Sequence, residues 1–122
     1  DQLDLQLIYN TLNNADLRKL TSCGTIYREK PFMLYAPYNK IAKQQQFGDN
    51  VMLQGVIDLL IVRDNKAIVV DFKYTTKTAE RITQDYEYQL NSYRYAVQSI
   101  CGISDVDCYV LSIADNKLIK FN

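Results

Sequence analysis

Residues 51–73 read VMLQGVIDLLIVRDNKAIVVDFK, two runs rich in Val and Ile on either side of Asp64-Asn65. β-branched residues favour extended backbone, and an Asp-Asn pair between two such runs supplies a tight turn, so the stretch reads as a β-hairpin. With the turn centred on Asp64-Asn65, counting back along both arms puts Asp58 across from Asp71. The segments GVIDLLIV and AIVVDF are apolar on both faces, the character of central strands covered on either side. A strand carboxylate is usually a solvated surface residue, and Lys73 would then be a casual ion-pair partner. Inside apolar runs, however, an ionised group is costly without a partner. Directly opposed residues have β-carbons roughly 5 Å apart, and like charges so placed repel. The pair therefore calls for a cation. Lys73, two residues beyond Asp71, points to the same sheet face and provides one, and a divalent metal could bridge the carboxylates from outside.

Such a set suits phosphodiester hydrolysis, which needs an activated water, neutralised phosphate charge and a stabilised leaving oxygen. On this reading Asp58 and Asp71 bind metal, the backbone carbonyl of Phe72 is a further oxygen ligand, and Lys73 orients the water and steadies the phosphate. One-metal and two-metal schemes both remain open. The rest of the composition narrows the chemistry to the same groups. Histidine is absent, which removes imidazole zinc sites, Ser-His-Asp triads and Cys-His nucleophiles together. Neither a phosphate-binding G-x-x-x-x-G-K-[ST] loop nor a dinucleotide-binding G-x-G-x-x-G occurs, so this piece is not by itself a phosphate-loop ATPase or a dinucleotide-binding domain.

Outward from the hairpin, residues 2–20 place Leu5, Ile8, Leu12, Leu17 and Leu20 at helical spacing, with Asn13 and Asn14 interrupting, which predicts one broken helix or two short ones. Residues 25–35 alternate and carry Pro31, as an edge or bulged strand does. Residues 36–50 form a polar connector with three consecutive Gln at 44–46. From about Asp85 to Cys101 the run lacks Pro and Gly, repeats apolar residues at helical spacing and stops at Gly102, which predicts a helix. Val106 to Ile113 reads as a strand, and Asp115-Asn116 turns it into a short last strand, Leu118 to Phe121. The expected order is αβββαβ with a final strand, an α/β or α+β sandwich around a mixed sheet.

The chain has 122 residues, enough for one domain with a modest core, and is expected to be a single unit, 1–122, cut from something longer because it opens at Asp1 with no initiator Met. Fourteen basic residues balance fourteen acidic ones, so this piece exerts no long-range pull on a polyanion. No apolar run reaches membrane-spanning length, and no membrane partner is expected. Cys23, Cys101 and Cys108 are odd in number and lack a Cys-x-x-Cys pair, which argues for reduced thiols and a cytoplasmic location. The tyrosines at 86, 88, 93 and 95 fall around the long helix, where packing is the commoner role, and none is assigned to base stacking.

Three motifs now stand in order: Gly55-Val56-Ile57-Asp58, Asp71-Phe72-Lys73 and Gln89-Leu90-Asn91-Ser92-Tyr93. Together they resemble the successive motifs of RecB-like PD-(D/E)XK nucleases. Upstream, Tyr27-Arg28-Glu29-Lys30-Pro31-Phe32 is similar to the Arg-Glu-x-x-Phe segment of AddA-type helicase-nucleases. The resemblance covers about residues 25–113. It implies a restriction-endonuclease-like core with helices flanking a mixed sheet, and Mg2+ as cofactor, with Mn2+ able to substitute. Gln89 and Tyr93, four apart on one helix face, are then DNA-side residues, where otherwise they would be read as solvated and core side chains. Glu29 becomes a third acidic residue near the metal, the alternative being a surface carboxylate paired with Arg28 or Lys30. RecB itself has a histidine at the upstream metal position, so its absence points to the AddA-type branch. Relatives with an iron-sulfur cluster need four cysteines, so no such cluster is expected.

The resemblance further implies an exonuclease that acts on DNA in double-strand break repair. Its helicase domain would lie in the same parent chain, and its partner would be a second, AddB-like subunit. Two readings compete: a catalytically inactive nuclease-like domain for DNA sensing or docking, and a stand-alone endonuclease of the same fold.

Overall fold

The computed structural model describes residues 13–41 and 50–121. The expected helical pattern over residues 2–12 and most of the polar connector, 42–49, lie outside the described residues. The elements in chain order are α1 (Ala15–Thr21), β1 (Thr25–Pro37), a single 3-10 turn (Tyr38–Lys40), β2 (Asn50–Arg63), β3 (Lys66–Lys73), α2 (Ala79–Asp85), α3 (Glu87–Cys101), β4 (Asp105–Ser112) and β5 (Lys117–Phe121). The strands form one five-stranded sheet in the order β1-β2-β3-β4-β5, antiparallel except for the parallel β3/β4 pair, as the helical crossover between those two requires. No helix among the described residues is long and apolar enough to cross a membrane.

The hairpin register is the one expected from its turn. Arg63 pairs with Lys66 and Leu59 with Val70, and Asp64 enters the turn at φ 53, a backbone that Asp tolerates better than most side chains. Both faces of the sheet are covered. On one side α3 lays Leu90, Tyr93, Ala96 and Val97 on Ala67, Val69, Val106, Cys108 and Val110. On the other, α1 contributes Leu17 to a smaller core with Leu59, Ile61, Ile68, Val70 and Leu111.

Local signals explain where the helices begin and end. Asn14, an interruption in the sequence pattern, is the N-cap of α1: its side-chain oxygen accepts from Leu17 N at 3.0 Å, while its amide donates to the Asn116 carbonyl and side chain at 3.0 Å each. Gly102 ends α3 in the left-handed region at φ 68. The region before α3 differs from expectation, because α2 forms a separate helix there. Thr78 caps it by accepting from Arg81 N at 3.3 Å, and Tyr86, at φ −108 and ψ 11, breaks the path between the two helices.

Strands β1 and β2 share one irregularity. Before Asp58 the odd-numbered β2 residues Leu53 and Ile57 face the α3 core, but after it the even-numbered Leu60 does, and Leu59 and Ile61 face the α1 core. The β1/β2 ladder runs from Thr25↔Val62 to Arg28↔Leu59, skips the rung at Glu29, and resumes at Lys30↔Ile57 in the same register. Glu29 there adopts φ 51, a sparsely populated conformation for a residue with a side chain. Each strand thus spends one residue on the fault, so the alternation inverts on both while the register is kept.

Candidate active site

Asp58 stands at that fault, just past the last β2/β3 rung. Released from the strict alternation, its carboxylate reaches across the gap and Oδ2 accepts from the backbone N–H of Phe72 at 2.8 Å. Asp71 lies beside it on β3, only 2% exposed, on the α3 side of the sheet. Lys73, on the same face, brings Nζ to 3.2 Å from Asp71 Oδ2. The approach is that of an ion pair outside hydrogen-bonding geometry. Among the described residues, Asp71 Oδ2 is a buried oxygen with no hydrogen-bond partner.

Burial is the main reason the Asp71 carboxyl titrates high, up to about 7, and the neighbouring Asp58 carboxylate adds to it against the pull of Lys73. Asp58, Asp71 and Lys73 are therefore together, and the electrostatic demand for positive charge inferred from the hairpin is present in the fold. A buried oxygen with open lone pairs beside a second carboxylate suits a hard divalent cation, which takes oxygen ligands. Among the described residues no group of three or more acidic or cysteine side chains converges. Magnesium commonly uses one or two carboxylates, filling its other positions with water and phosphate oxygens.

Helix α3 closes the site from above. Gln89 Nε2 donates to the Tyr93 hydroxyl at 2.8 Å, so the two residues spaced four apart act as one unit. Burial, with Asp71 and Asp58 nearby, pushes the Tyr93 phenol up to about 12, so it stays protonated. Its ring meets Phe32 edge-on, with centroids 5.6 Å apart. Gly55 makes room for that contact: a β-carbon there would lie 3.2 Å from the Phe32 ring and 3.6 Å from Tyr93. The glycine of Gly55-Val56-Ile57-Asp58 thus serves the tyrosine of the third motif.

Glu29 occupies the skipped rung across from Asp58, with an exposed side chain. Phe72, between the two charged residues of its motif, tucks its ring against the α1 core. One neighbour of the site went unassigned in the sequence. Tyr86 presents its ring to Lys73 Nζ at 4.7 Å and to Lys77 Nζ at 5.2 Å. Its only sequence signal is its place among the helix tyrosines.

An antiparallel hairpin followed by a helical crossover to a parallel strand, with Asp58, Asp71 and Lys73 where the hairpin splays, defines a class. The chain belongs to the PD-(D/E)XK nuclease superfamily, whose family profile matches residues 11–116. Among individual proteins it is similar to the AddA-type ATP-dependent helicase/nuclease subunit of Listeria welshimeri, with 26% identity over 84% of this chain and 9% of the relative. The corresponding subunits from Oceanobacillus iheyensis and Streptococcus mutans are each 25% identical, over 98% and 95% of this chain. The chain spans only 10% and 9% of those two relatives. It is a nuclease-superfamily domain related to AddA-type helicase-nuclease subunits.

Proposed function

We propose that the domain hydrolyses DNA phosphodiester bonds with Mg2+, or Mn2+ in its place, as the exonuclease part of an ATP-dependent helicase-nuclease in double-strand break repair. The observation that carries this reading is the buried Asp71 carboxylate beside Asp58, with Lys73 3.2 Å away and an oxygen that no hydrogen bond from the described residues reaches. Asp58, Asp71 and the Phe72 carbonyl would hold the ion, and Glu29, across the skipped rung from Asp58, is the third acidic residue of the proposal. The bound ion supplies charge neutralisation at the phosphate and a more acidic water. Lys73 orients that water and donates to the phosphate. Asp58 keeps its place through the Phe72 N–H, and Gln89 with Tyr93 lines the DNA side.

The zero formal charge supports a domain that receives its strand from elsewhere. The relatives are named as subunits of an ATP-dependent helicase/nuclease, which supports a helicase domain in the same parent chain and a companion of the AddB-like kind. The three free cysteines suit work in the cytoplasm. The test is cleavage of linear single-stranded DNA with Mg2+ or Mn2+ by the protein carrying this chain, compared with its Asp71→Ala and Lys73→Ala variants. Losses of about 100-fold or more are expected. Equal cleavage by the variants would remove the assignment.

A further inference from the structure

Lys73 is held from two sides. Asp71 attracts it through charge at 3.2 Å, and the Tyr86 ring lies 4.7 Å from the same ammonium. The two attractions respond differently to a metal. A divalent cation on Asp71 takes up that carboxylate's charge and repels Lys73, so the ion pair weakens in the loaded site. The ring's attraction comes from its quadrupole and does not depend on the charge of Asp71.

Tyr86 is well placed for a fixed ring. It is half-buried against the α3 core and tied into the backbone of both helices, its N–H donating to the Ile82 carbonyl at 3.0 Å and its carbonyl accepting from Leu90 N at 2.9 Å. The second ammonium on this ring, Lys77, has its own counter-charge, since Nζ lies 2.7 Å from Asp85 Oδ2 and Arg81 pairs with the same carboxylate. Lys77 is thereby satisfied apart from the site, whereas Lys73 has Tyr86 as its neutral anchor.

We propose that Tyr86 is a positioning residue that keeps the Lys73 ammonium at the reaction centre when Asp71 is engaged by the metal. The proposal rests on the nuclease reading for its kinetic consequence, but the anchoring itself does not. The aromatic face is the operative group, so Tyr86→Phe keeps the function and Tyr86→Leu, of similar apolar character, loses it.

Two measurements on the protein carrying this chain test it. In DNA cleavage with Mg2+, Tyr86→Leu is expected to lower kcat about 10-fold with little change in KM, and Tyr86→Phe to stay within about 2-fold of the parent. In acetylation by acetic anhydride without metal, read by mass spectrometry, Tyr86→Leu is expected to raise the labelling rate of Lys73 several-fold. Lys66 and Lys120 should label as before, and Tyr86→Phe should match the parent. Leu and Phe variants that behave alike, in both measurements, would overturn the proposal. So would a Leu variant in which Lys66 and Lys120 also become more reactive, since that gives Tyr86 a general packing role. If Asp71→Ala cleaves normally while Lys73 labelling still separates Leu from Phe, the nuclease reading fails and the anchoring stands.

Discussion

Replacing Asp71 by asparagine should make the metal-free protein more stable above neutral pH. The carboxyl of Asp71 titrates at about 7 in the fold against an ordinary 3.8, chiefly because it is buried. A group raised in this way favours the fold while protonated. Its contribution is complete below about pH 4 and is lost as the pH climbs through about 7. Each pH unit between the two values is worth about 1.4 kcal/mol, so ionising Asp71 takes about 4 kcal/mol from the fold by pH 8. The side-chain amide introduced by Asp71→Asn does not ionise. Its oxygen can face Lys73 and its N–H groups the Asp58 carboxylate, so no buried group is stranded.

The expected gain is about 2 to 4 kcal/mol at pH 8, the lower figure allowing for relaxation around the carboxylate, and about zero near pH 4. The assay is urea unfolding in EDTA across that range. With an m-value of about 1 to 3 kcal/mol per molar, the variant's midpoint at pH 8 should rise by roughly 1 to 2 M. Magnesium should then narrow the gap, because the ion stabilises only the protein that binds it. Parallel pH dependences for the two proteins, or a less stable variant at pH 8, would refute the burial argument.

Other outcomes follow from the same geometry. Gly55→Ala places a β-carbon 3.2 Å from the Phe32 ring, so thermal unfolding should show a loss of about 1 to 3 kcal/mol and DNA cleavage should fall as Tyr93 is displaced. Asp58→Ala strands the Phe72 N–H and should destabilise the protein by about 1 to 3 kcal/mol, whereas Asp58→Asn, which keeps an acceptor, should unfold near the parent's midpoint yet cleave poorly. Burial pushes the Cys108 thiol up to about 11, while Cys23 and Cys101 are exposed. A disulfide reagent at pH 8 should therefore label Cys23 and Cys101 at once and Cys108 only after denaturant is added; rapid labelling of Cys108 in the native protein would contradict its placement.

The parts of this fold legible in the sequence were those set by local chemistry. The β-branched runs and the Asp64-Asn65 turn gave the hairpin and its register, and Gly102 marked the end of α3. Gln89 and Tyr93 were readable as a pair because helical spacing alone brings them together. Helix α2 was missed because it buries only Ile82 and its main signal is the Thr78 cap. The fault at Glu29 and Asp58 was hidden for a different reason. GVIDLLIV reads as apolar on both faces, and an inverted alternation within such a run leaves no trace in hydropathy. The contact of Tyr86 with Lys73 depends on the angle between two helices, which no local pattern encodes.

The paired fault in β1 and β2 carries a consequence for how this site can change. Deleting Glu29 alone, or Asp58 alone, would leave the other as a one-sided bulge, with the flanking rungs and the side each core residue faces unchanged. Deleting both would restore an unbroken ladder of strict alternation in which Phe32, Ala36, Leu53 and Ile57 keep the α3 side they hold now. The carboxylate thus sits at a phase boundary of the sheet. The flanking core residues keep their side of the sheet with or without it, so the fold makes no demand on this position beyond the Phe72 N–H that Asp58 satisfies.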